Sequence, residues 1–285
     1  MAAGRALLRP DALASLTAMG LVLGLVGWLF SGPSGLAVAV IAMAVTIVLV
    51  PKVPVDLAMR VIGARPVHPE EAPGLYTILI ELSDAAGLEA APILYRVRGG
   101  RILAVAVGDS SRSALALSDG MTVVMDEREM RGVLAHEIAH IAAEDTTLMN
   151  LAAALGRVIH TLAIFGLIAA VLIVLLTPEP VIPWVVGLIA LAPWAATLLH
   201  LALMRRREFA ADADAVRLTG DAVGLARALV KLETLPAGGL ARLIGGGPGR
   251  QRRGLGFLRT HPSTRARIER LVGPISDRVR PMRFH

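Results

Sequence analysis

The stretch VLAHEIAHIAAED, residues 133–145, places two histidines four residues apart and a glutamate directly after the first. On a helix, His136 and His140 share one face, where two imidazoles can reach the same metal ion. Glu137 lies about 100° further round the helix, which suits a group that contacts the metal's water and not the metal. The spacing therefore predicts a zinc-binding catalytic helix. The alternative interpretation is a buried helix that happens to carry two core histidines.

The composition around this helix is typical of a membrane protein. Of the 285 residues, 55% are hydrophobic and 18% are charged, whereas soluble domains have roughly half and a quarter. The excess lies in apolar stretches without a charged residue in their middle, most of them near the ~20 residues that cross a bilayer: residues 12–30, 36–50, 158–176 and 181–204. We therefore expect a multi-spanning α-helical membrane protein with four transmembrane helices in two hairpins.

Basic residues near the helix ends indicate the orientation. The two hairpin turns, residues 31–35 and 177–183, contain no Lys or Arg, whereas the other ends of the stretches carry several, including Arg157 and residues 205–207. By the positive-inside rule, both termini and the polar regions are expected in the cytoplasm. The same rule accounts for the net charge of +6, so we expect no nucleic-acid partner. The absence of cysteine excludes disulfides and thiolate metal sites.

This organisation divides the chain into four regions. We expect an N-terminal transmembrane hairpin over residues 1–54, the first part of a cytoplasmic α+β domain over 55–157, a second transmembrane hairpin over 158–204 and the second part of the domain over 205–285.

Local patterns predict the elements of the polar regions. A helix is expected over residues 68–88 and short strands over 92–97, 102–108 and 113–118. Asp126 and Glu129 have the spacing of a capping box at the start of the histidine helix. No proline interrupts that helix before residue 176, so we expect it to run close to, or into, the third membrane span. Further helices are expected up to Gly220, over 221–235 and over 260–272.

A catalytic zinc needs a third protein ligand and an open position for water. Glu144 shares a face with the histidines, but it lies about 12 Å from His136 along a straight helix, beyond a glutamate's reach. Glu208 and Asp212 follow the fourth apolar stretch at i, i+4. One of them can bind the metal while the other accepts a hydrogen bond from a ligand histidine. The second hairpin would return these acids to the membrane face that bears His140.

Four features in this order resemble the HtpX-type membrane zinc endopeptidases, relatives of the CaaX prenyl proteases: the motif VLAHEIAHIAAED, a pair of membrane spans, and the motifs REFAADADAV and THPSTRARIERL. The resemblance covers nearly the whole chain. It implies one Zn²⁺ per chain, held by His136, His140 and Glu208, with Glu137 as general base.

The resemblance also implies roles for further residues. Asp212 and Asp145 match the family's supporting acids, and His261 matches a histidine that helps to polarise the scissile carbonyl or to stabilise its oxyanion. One departure is Leu103, which stands where the family usually has an asparagine that holds the substrate backbone. His160 and His200 lie at or inside the membrane spans, where polar groups are costly, and their roles stay open.

The function implied is zinc-dependent hydrolysis of peptide bonds in membrane or misfolded proteins, as quality control under stress. The chain would be a multi-pass protein of a bacterial or archaeal inner membrane, with protein substrates and the lipid bilayer as its partners. Two alternatives remain. One is a processing peptidase for a specific membrane or lipid-modified substrate, and the other is a catalytically silent zinc-binding scaffold.

Overall fold

The structure, a computed structural model, describes residues 9–49, 54–100, 102–177, 182–234 and 262–273. Its helices are α1 Pro10–Leu49, α2 Val55–Val61, α3 Pro73–Ala86, α4 Asp119–Val124, α5 Glu127–Ala142, α6 Asp145–Leu176, α7 Pro183–Thr219, α8 Ala222–Thr234 and α9 Thr264–Val272. Its strands are β1 Arg65–Pro66, β2 Ile93–Val97, β3 Ala104–Gly108 and β4 Ser113–Ser118.

Among the residues that the structure describes, three helices are long and apolar enough to cross a membrane: α1, α6 and α7. Helix α1 includes most of the first two predicted spans, and its backbone leaves the helical conformation at Ser31 and Gly32. A Cβ on Gly27 would lie 2.4 Å from the carbonyl oxygen of Gly35, although eight residues of straight helix cover about 12 Å. The two arms of α1 therefore fold back on each other, and glycines permit their close approach. The count of four spans stays a prediction.

The apolar helices pack together through small and aliphatic side chains. Their shared core contains Met19 and Leu23 from α1, Leu155 and Ile159 from α6, and Ala196 and Leu203 from α7. The outward faces keep large apolar side chains exposed, including Trp28, Phe165, Leu191 and Trp194. Exposed apolar surface of this extent is unfavourable in water and favourable in lipid. The predicted membrane region is thus a packed helical bundle with a lipid-compatible exterior.

The polar region contains a four-stranded sheet in the order β1-β2-β4-β3. The predicted helix and three strands before the histidine helix are confirmed as α3, β2, β3 and β4. Strand β2 pairs with β4 in parallel, and β3 pairs with β4 antiparallel. Within the described residues β3 pairs with β4 alone, so its other edge is available toward the histidine helix.

Helix α5 forms the centre of the polar region. It begins with the predicted capping box, in which Asp126 accepts from the Glu129 backbone N–H and Glu129 accepts from the Asp126 backbone N–H. Ile138 and Leu134 are fully buried, in a core shared with α3, the sheet and α8. This packing fixes which face of α5 points away from the core, and that face carries the two histidines.

The predicted continuation of α5 into the third span is wrong in one respect. The helix ends at Ala142, and Glu144 adopts a left-handed backbone with φ 55° before α6 starts at Asp145. The break turns the chain where neither proline nor glycine signals it. It also brings the buried Asp145 back toward His140, so that the Asp145 carboxylate contacts the His140 ring. Helix α7, by contrast, continues from the apolar stretch to Thr219 without interruption.

The division of the chain into four regions stays a prediction. Helix α6 passes through the boundary at residues 157/158, and α7 passes through that at 204/205. The polar and apolar parts are therefore joined by continuous helices.

Candidate metal centre

The two motif histidines meet on the side of α5 that faces a cavity. Their Nε2 atoms lie 3.2 Å apart, and the rings are perpendicular with centroids 4.7 Å apart. His136 and His140 are one helical turn apart, and the packing of the opposite face of α5 fixes the direction of both side chains. If these were two ordinary core histidines, their rings would be fully enclosed and their nitrogens hydrogen-bonded within the core. Both rings instead line an open cavity.

A third group reaches the same point from α7. The two carboxylate oxygens of Glu208 lie 3.8 Å from the Nε2 atoms of His136 and His140 respectively. One ligand atom from each of the three residues lies within 4.8 Å of the other two. Two separate helices thus supply two imidazoles and one carboxylate around a common centre.

Asp212 lies beside the centre and contacts the outer nitrogen of a histidine. Its Oδ1 is 3.1 Å from Nδ1 of His136. Asp145 makes the equivalent contact on the other side, with Oδ2 2.8 Å from Nδ1 of His140. When each Nδ1–H donates to its carboxylate, each Nε2 keeps its lone pair for the centre. Of the two acids that the sequence offered on α7, Glu208 faces the centre and Asp212 supports a histidine.

Two arginines that the sequence analysis did not single out hold these carboxylates. Arg207 donates from Nε to Asp145 at 2.5 Å and from Nη2 at 3.1 Å. Arg267 donates to Asp212 from Nε at 2.7 Å and from Nη2 at 2.6 Å. The sequence analysis interpreted Arg207 only as one of the basic residues near a membrane edge, whereas the structure shows that its side chain is buried, with 2% of the residue exposed. The sequence did contain one indication of a role for Arg207 at the site, namely its position directly before Glu208 in a polar part of the helix.

The charges around the centre shift the pKa values of several groups, among them His140 and Arg267. Burial lowers the pKa of His140, but the hydrogen bond to Asp145 and the nearby charges of Glu137 and Glu208 outweigh burial, so this pKa is raised. Burial also lowers the pKa of Arg267, but the hydrogen bond and ion pair with Asp212 outweigh burial, so this pKa is raised as well. Arg267 therefore stays charged beside Asp212.

Glu137 lines the same cavity as the three converging residues. The cavity has a volume of about 520 Å³, and its lining includes Leu103, the first residues of β3, and the apolar side chains of Met149, Met204 and Leu229. The Leu103 carbonyl accepts a hydrogen bond from the Ser118 backbone N–H, and the Leu103 N–H donates one to the Ser118 hydroxyl oxygen. Its side chain is apolar, so the amide contact expected from the family's asparagine is missing at this position.

The other candidate residues lie elsewhere. His261 is outside the residues that the structure describes, and its proposed role stays a prediction. His160 is exposed on α6 and His200 is partly buried on α7. Neither belongs to the lining of the cavity as the described residues form it.

The chain is similar to known proteases over most of its length. The model of peptidase family M48 matches residues 69–275. A protease HtpX homolog of Trichormus variabilis is 35% identical over 279 residues, which cover 89% of this chain and 91% of the relative. A protease HtpX homolog of Nostoc punctiforme is 37% identical over 231 residues, or 76% of each chain. The crystal structure of S. mikatae Ste24p matches with a TM-score of 0.49 and 20% identity, over 91% of this chain and 63% of that chain.

Proposed function

The chain belongs to peptidase family M48, among the HtpX-type metalloproteases, and from that premise we propose that it is a membrane-bound zinc endopeptidase. The observation that carries this proposal is the convergence of His136, His140 and Glu208, whose ligand atoms lie within 4.8 Å of one another. Glu137, the proposed general base, lines the cavity that opens onto them.

The donor set fits zinc. Zinc–nitrogen bonds of about 2.0–2.1 Å in a tetrahedral site place two imidazole nitrogens about 3.3 Å apart, and the two Nε2 atoms are 3.2 Å apart. With both Nδ1–H groups donated to Asp145 and Asp212, two lone pairs would face each other at this distance. A proton or a metal cation between them removes that repulsion. Two imidazoles and one carboxylate also leave a fourth position for water, as in catalytic zinc sites.

Zinc bound at this centre would lower the pKa of a bound water toward ~7 and polarise the scissile carbonyl. Glu137 accepts the proton of the attacking water and returns it to the leaving amine. Asp145 and Asp212 hold the histidine rings in the required tautomer and orientation. His261 would support the developing oxyanion. These roles for the individual residues are part of the proposal.

The substrate is a polypeptide in extended conformation. The free edge of β3 borders the cavity, and main-chain groups at such an edge can add a further strand from a peptide. This mode of binding needs no particular side chain along the edge, so it is compatible with Leu103, which directly precedes β3. The apolar lining from Met149, Met204 and Leu229 favours hydrophobic residues near the cleaved bond.

We further propose four membrane spans, with the site and both termini on the cytoplasmic face of a prokaryotic inner membrane and with quality control of membrane proteins as the role. The back-folded arms of α1 support the count. Reporter fusions after Pro54, Gly254 and His285 should report the cytoplasm, and fusions after Ser34 and Glu179 the outside. A cytoplasmic signal at Glu179 contradicts this arrangement.

Purified protein in detergent provides the test of the activity. It should hydrolyse casein, lose activity when zinc is chelated and regain it when zinc is returned. His136→Ala should abolish both zinc binding and hydrolysis. A specific processing peptidase would leave casein intact but cleave one membrane substrate. A silent scaffold would bind zinc and cleave neither, and that outcome contradicts the proposal.

A further inference from the structure

A second cavity, separate from the metal centre, lies at the end of the apolar part of α7. It has a volume of about 530 Å³, and its lining consists of Ala202, Arg205, Arg206, Phe209, Ala210 and Arg270. The first five lie three or four residues apart on one face of α7, and Arg270 comes from α9. The cavity is thus formed between two helices that also contribute to the metal centre.

The position of this cavity along α7 corresponds to the edge of a membrane. From residue 183 to Met204 the helix has no charged side chain, and Trp184, Leu191 and Trp194 are exposed on its surface. Arg205 is the first charged residue after this stretch. At about 1.5 Å per residue, Phe209 lies only about 8 Å beyond Met204. The cavity therefore begins where the lipid-compatible surface ends, at the depth of phospholipid headgroups.

The chemistry of the lining suits an anion. Three guanidinium groups line the cavity, and no carboxylate is among its described lining residues. The guanidinium carbon of Arg270 lies 4.1 Å from the centre of the Phe209 ring. Stacking of this kind orients the guanidinium plane and leaves its in-plane N–H groups able to donate. Arg207, next in sequence, turns the other way and donates to Asp145.

We propose that this cavity is a binding site for the phosphate group of an anionic phospholipid. Planar guanidinium groups bind phosphate oxygens through paired hydrogen bonds. Basic pockets between helices at the membrane edge favour anionic headgroups over zwitterionic ones. The apolar surface of α7 directly adjoining the cavity accommodates the acyl chains, which free phosphate lacks.

Occupation of the cavity has a consequence for the metal centre. Arg267 lies one helical turn before Arg270 on α9, and it contacts both Asp212 and Glu208. A phosphate held between Arg270 and the arginines of α7 would hold α9 against α7 at the level of these contacts. This consequence rests on the proposed peptidase function, whereas lipid binding itself does not.

The binding test uses the full-length protein in a neutral detergent, titrated with short-chain phosphatidylglycerol or phosphatidylcholine and observed by native mass spectrometry. Wild type should retain phosphatidylglycerol in preference to phosphatidylcholine. The double variant Arg206→Gln/Arg270→Gln should bind phosphatidylglycerol at least roughly tenfold more weakly, at roughly fivefold per arginine. The matched control Arg217→Gln/Arg265→Gln removes the same charge from exposed positions on the same two helices, and it should bind as wild type does.

Three results would overturn the proposal. Equal losses in the two double variants would mean general attraction to positive charge and no built site. Competition by inorganic phosphate as effective as that by phosphatidylglycerol would make free phosphate the ligand. Competition by an acidic peptide, with no lipid preference, would assign the arginines to the protein substrate.

An activity measurement tests the consequence separately. In nanodiscs, phosphatidylglycerol should increase casein hydrolysis by wild type and by the control variant, but not by Arg206→Gln/Arg270→Gln. If lipid binding follows the expectation and no sample hydrolyses casein, the proposed function fails while the lipid site stands. If hydrolysis is present but lipid retention is the same in all three proteins, the lipid site fails.

Discussion

The two halves of the metal centre use the same arrangement, a histidine held by an aspartate that is held by an arginine, but they are built into different parts of the molecule. On the first half, Asp145 and Arg207 are 1% and 2% exposed, and Arg207 also reaches Asp11 of α1 at 3.5 Å. On the second half, Asp212 is equally buried, but its partner Arg267 comes from the nine-residue helix α9 and has a side chain that is 11% exposed.

Because of this difference, we expect the two halves to contribute differently to the stability of the fold and to the chemistry of the centre. The first half connects α1, α5, α6 and α7, so its ion pair is part of the contact between the apolar bundle and the polar region. The second half connects α9 to α7, and Arg267 also contacts Glu208 at 3.1 Å. We expect changes on the first half to affect folding most, and changes on the second half to affect the metal centre most.

The largest expected effect is that of Arg207→Gln on stability. The substitution leaves the carboxylate of Asp145 buried without its cation, and breaking a buried pair costs about 3–5 kcal/mol. Unfolding of the detergent-solubilised protein, followed by circular dichroism, should detect a loss of this size. Arg217→Gln on the same helix removes an exposed arginine and should cost at most about 0.5 kcal/mol. Equal stability of the two variants would contradict the assigned difference.

The next effect compares Asp145→Asn with Asp212→Asn. Each substitution weakens the hydrogen bond that orients a histidine proposed to bind zinc, so zinc affinity should fall by about 10- to 100-fold in both. Only Asp145→Asn should also lower the stability strongly, because the buried Arg207 then keeps only Asp11, at 3.5 Å and partly exposed, as a carboxylate partner. Zinc titration and unfolding of the same samples measure the two quantities. A strong loss of stability in both variants would remove the distinction between the halves.

The smallest effect is expected for Arg267→Gln. Without zinc, the carboxylates of Glu208 and Asp212 lose the cation between them, which should cost about 1–3 kcal/mol of stability. Zinc replaces that cation, so the difference from wild type should shrink when zinc is bound. Arg265→Gln, an exposed position on the same helix, serves as control and should match wild type with and without zinc. A deficit in Arg267→Gln that zinc leaves unchanged would make Arg267 a purely structural residue.

Local sequence patterns predicted most of the helices and strands, and they predicted which residues of α5 act in pairs. The capping box of Asp126 and Glu129 and the shared face of His136 and His140 follow from spacing within one helix, so no distant contact is needed to predict them. The sequence also excluded Glu144 by distance along a helix. The structure keeps it from the centre for an additional reason, since its left-handed backbone ends the helical region.

The residues that escaped the sequence analysis depend on distant contacts. Arg207 contacts Asp145 across 62 positions, and Arg267 contacts Asp212 across 55. An arginine that follows an apolar stretch has the same sequence context whether it faces lipid headgroups, as Arg206 can, or a buried carboxylate, as Arg207 does. The helix break before Asp145 has no local signal either, and Asp145 makes its contacts with residues of other helices, His140 of α5 and Arg207 of α7.

The most direct test of the central claim, that Glu137 acts on water at a zinc held by its neighbours, is the variant Glu137→Gln. Glutamine keeps the size of the side chain but cannot accept a proton at neutral pH. Zinc content measured on the purified variant should equal that of wild type, while hydrolysis of casein by the same sample should fall by about 10²- to 10⁴-fold. Full hydrolysis by Glu137→Gln, together with none by His136→Ala, would contradict the assignment of the base.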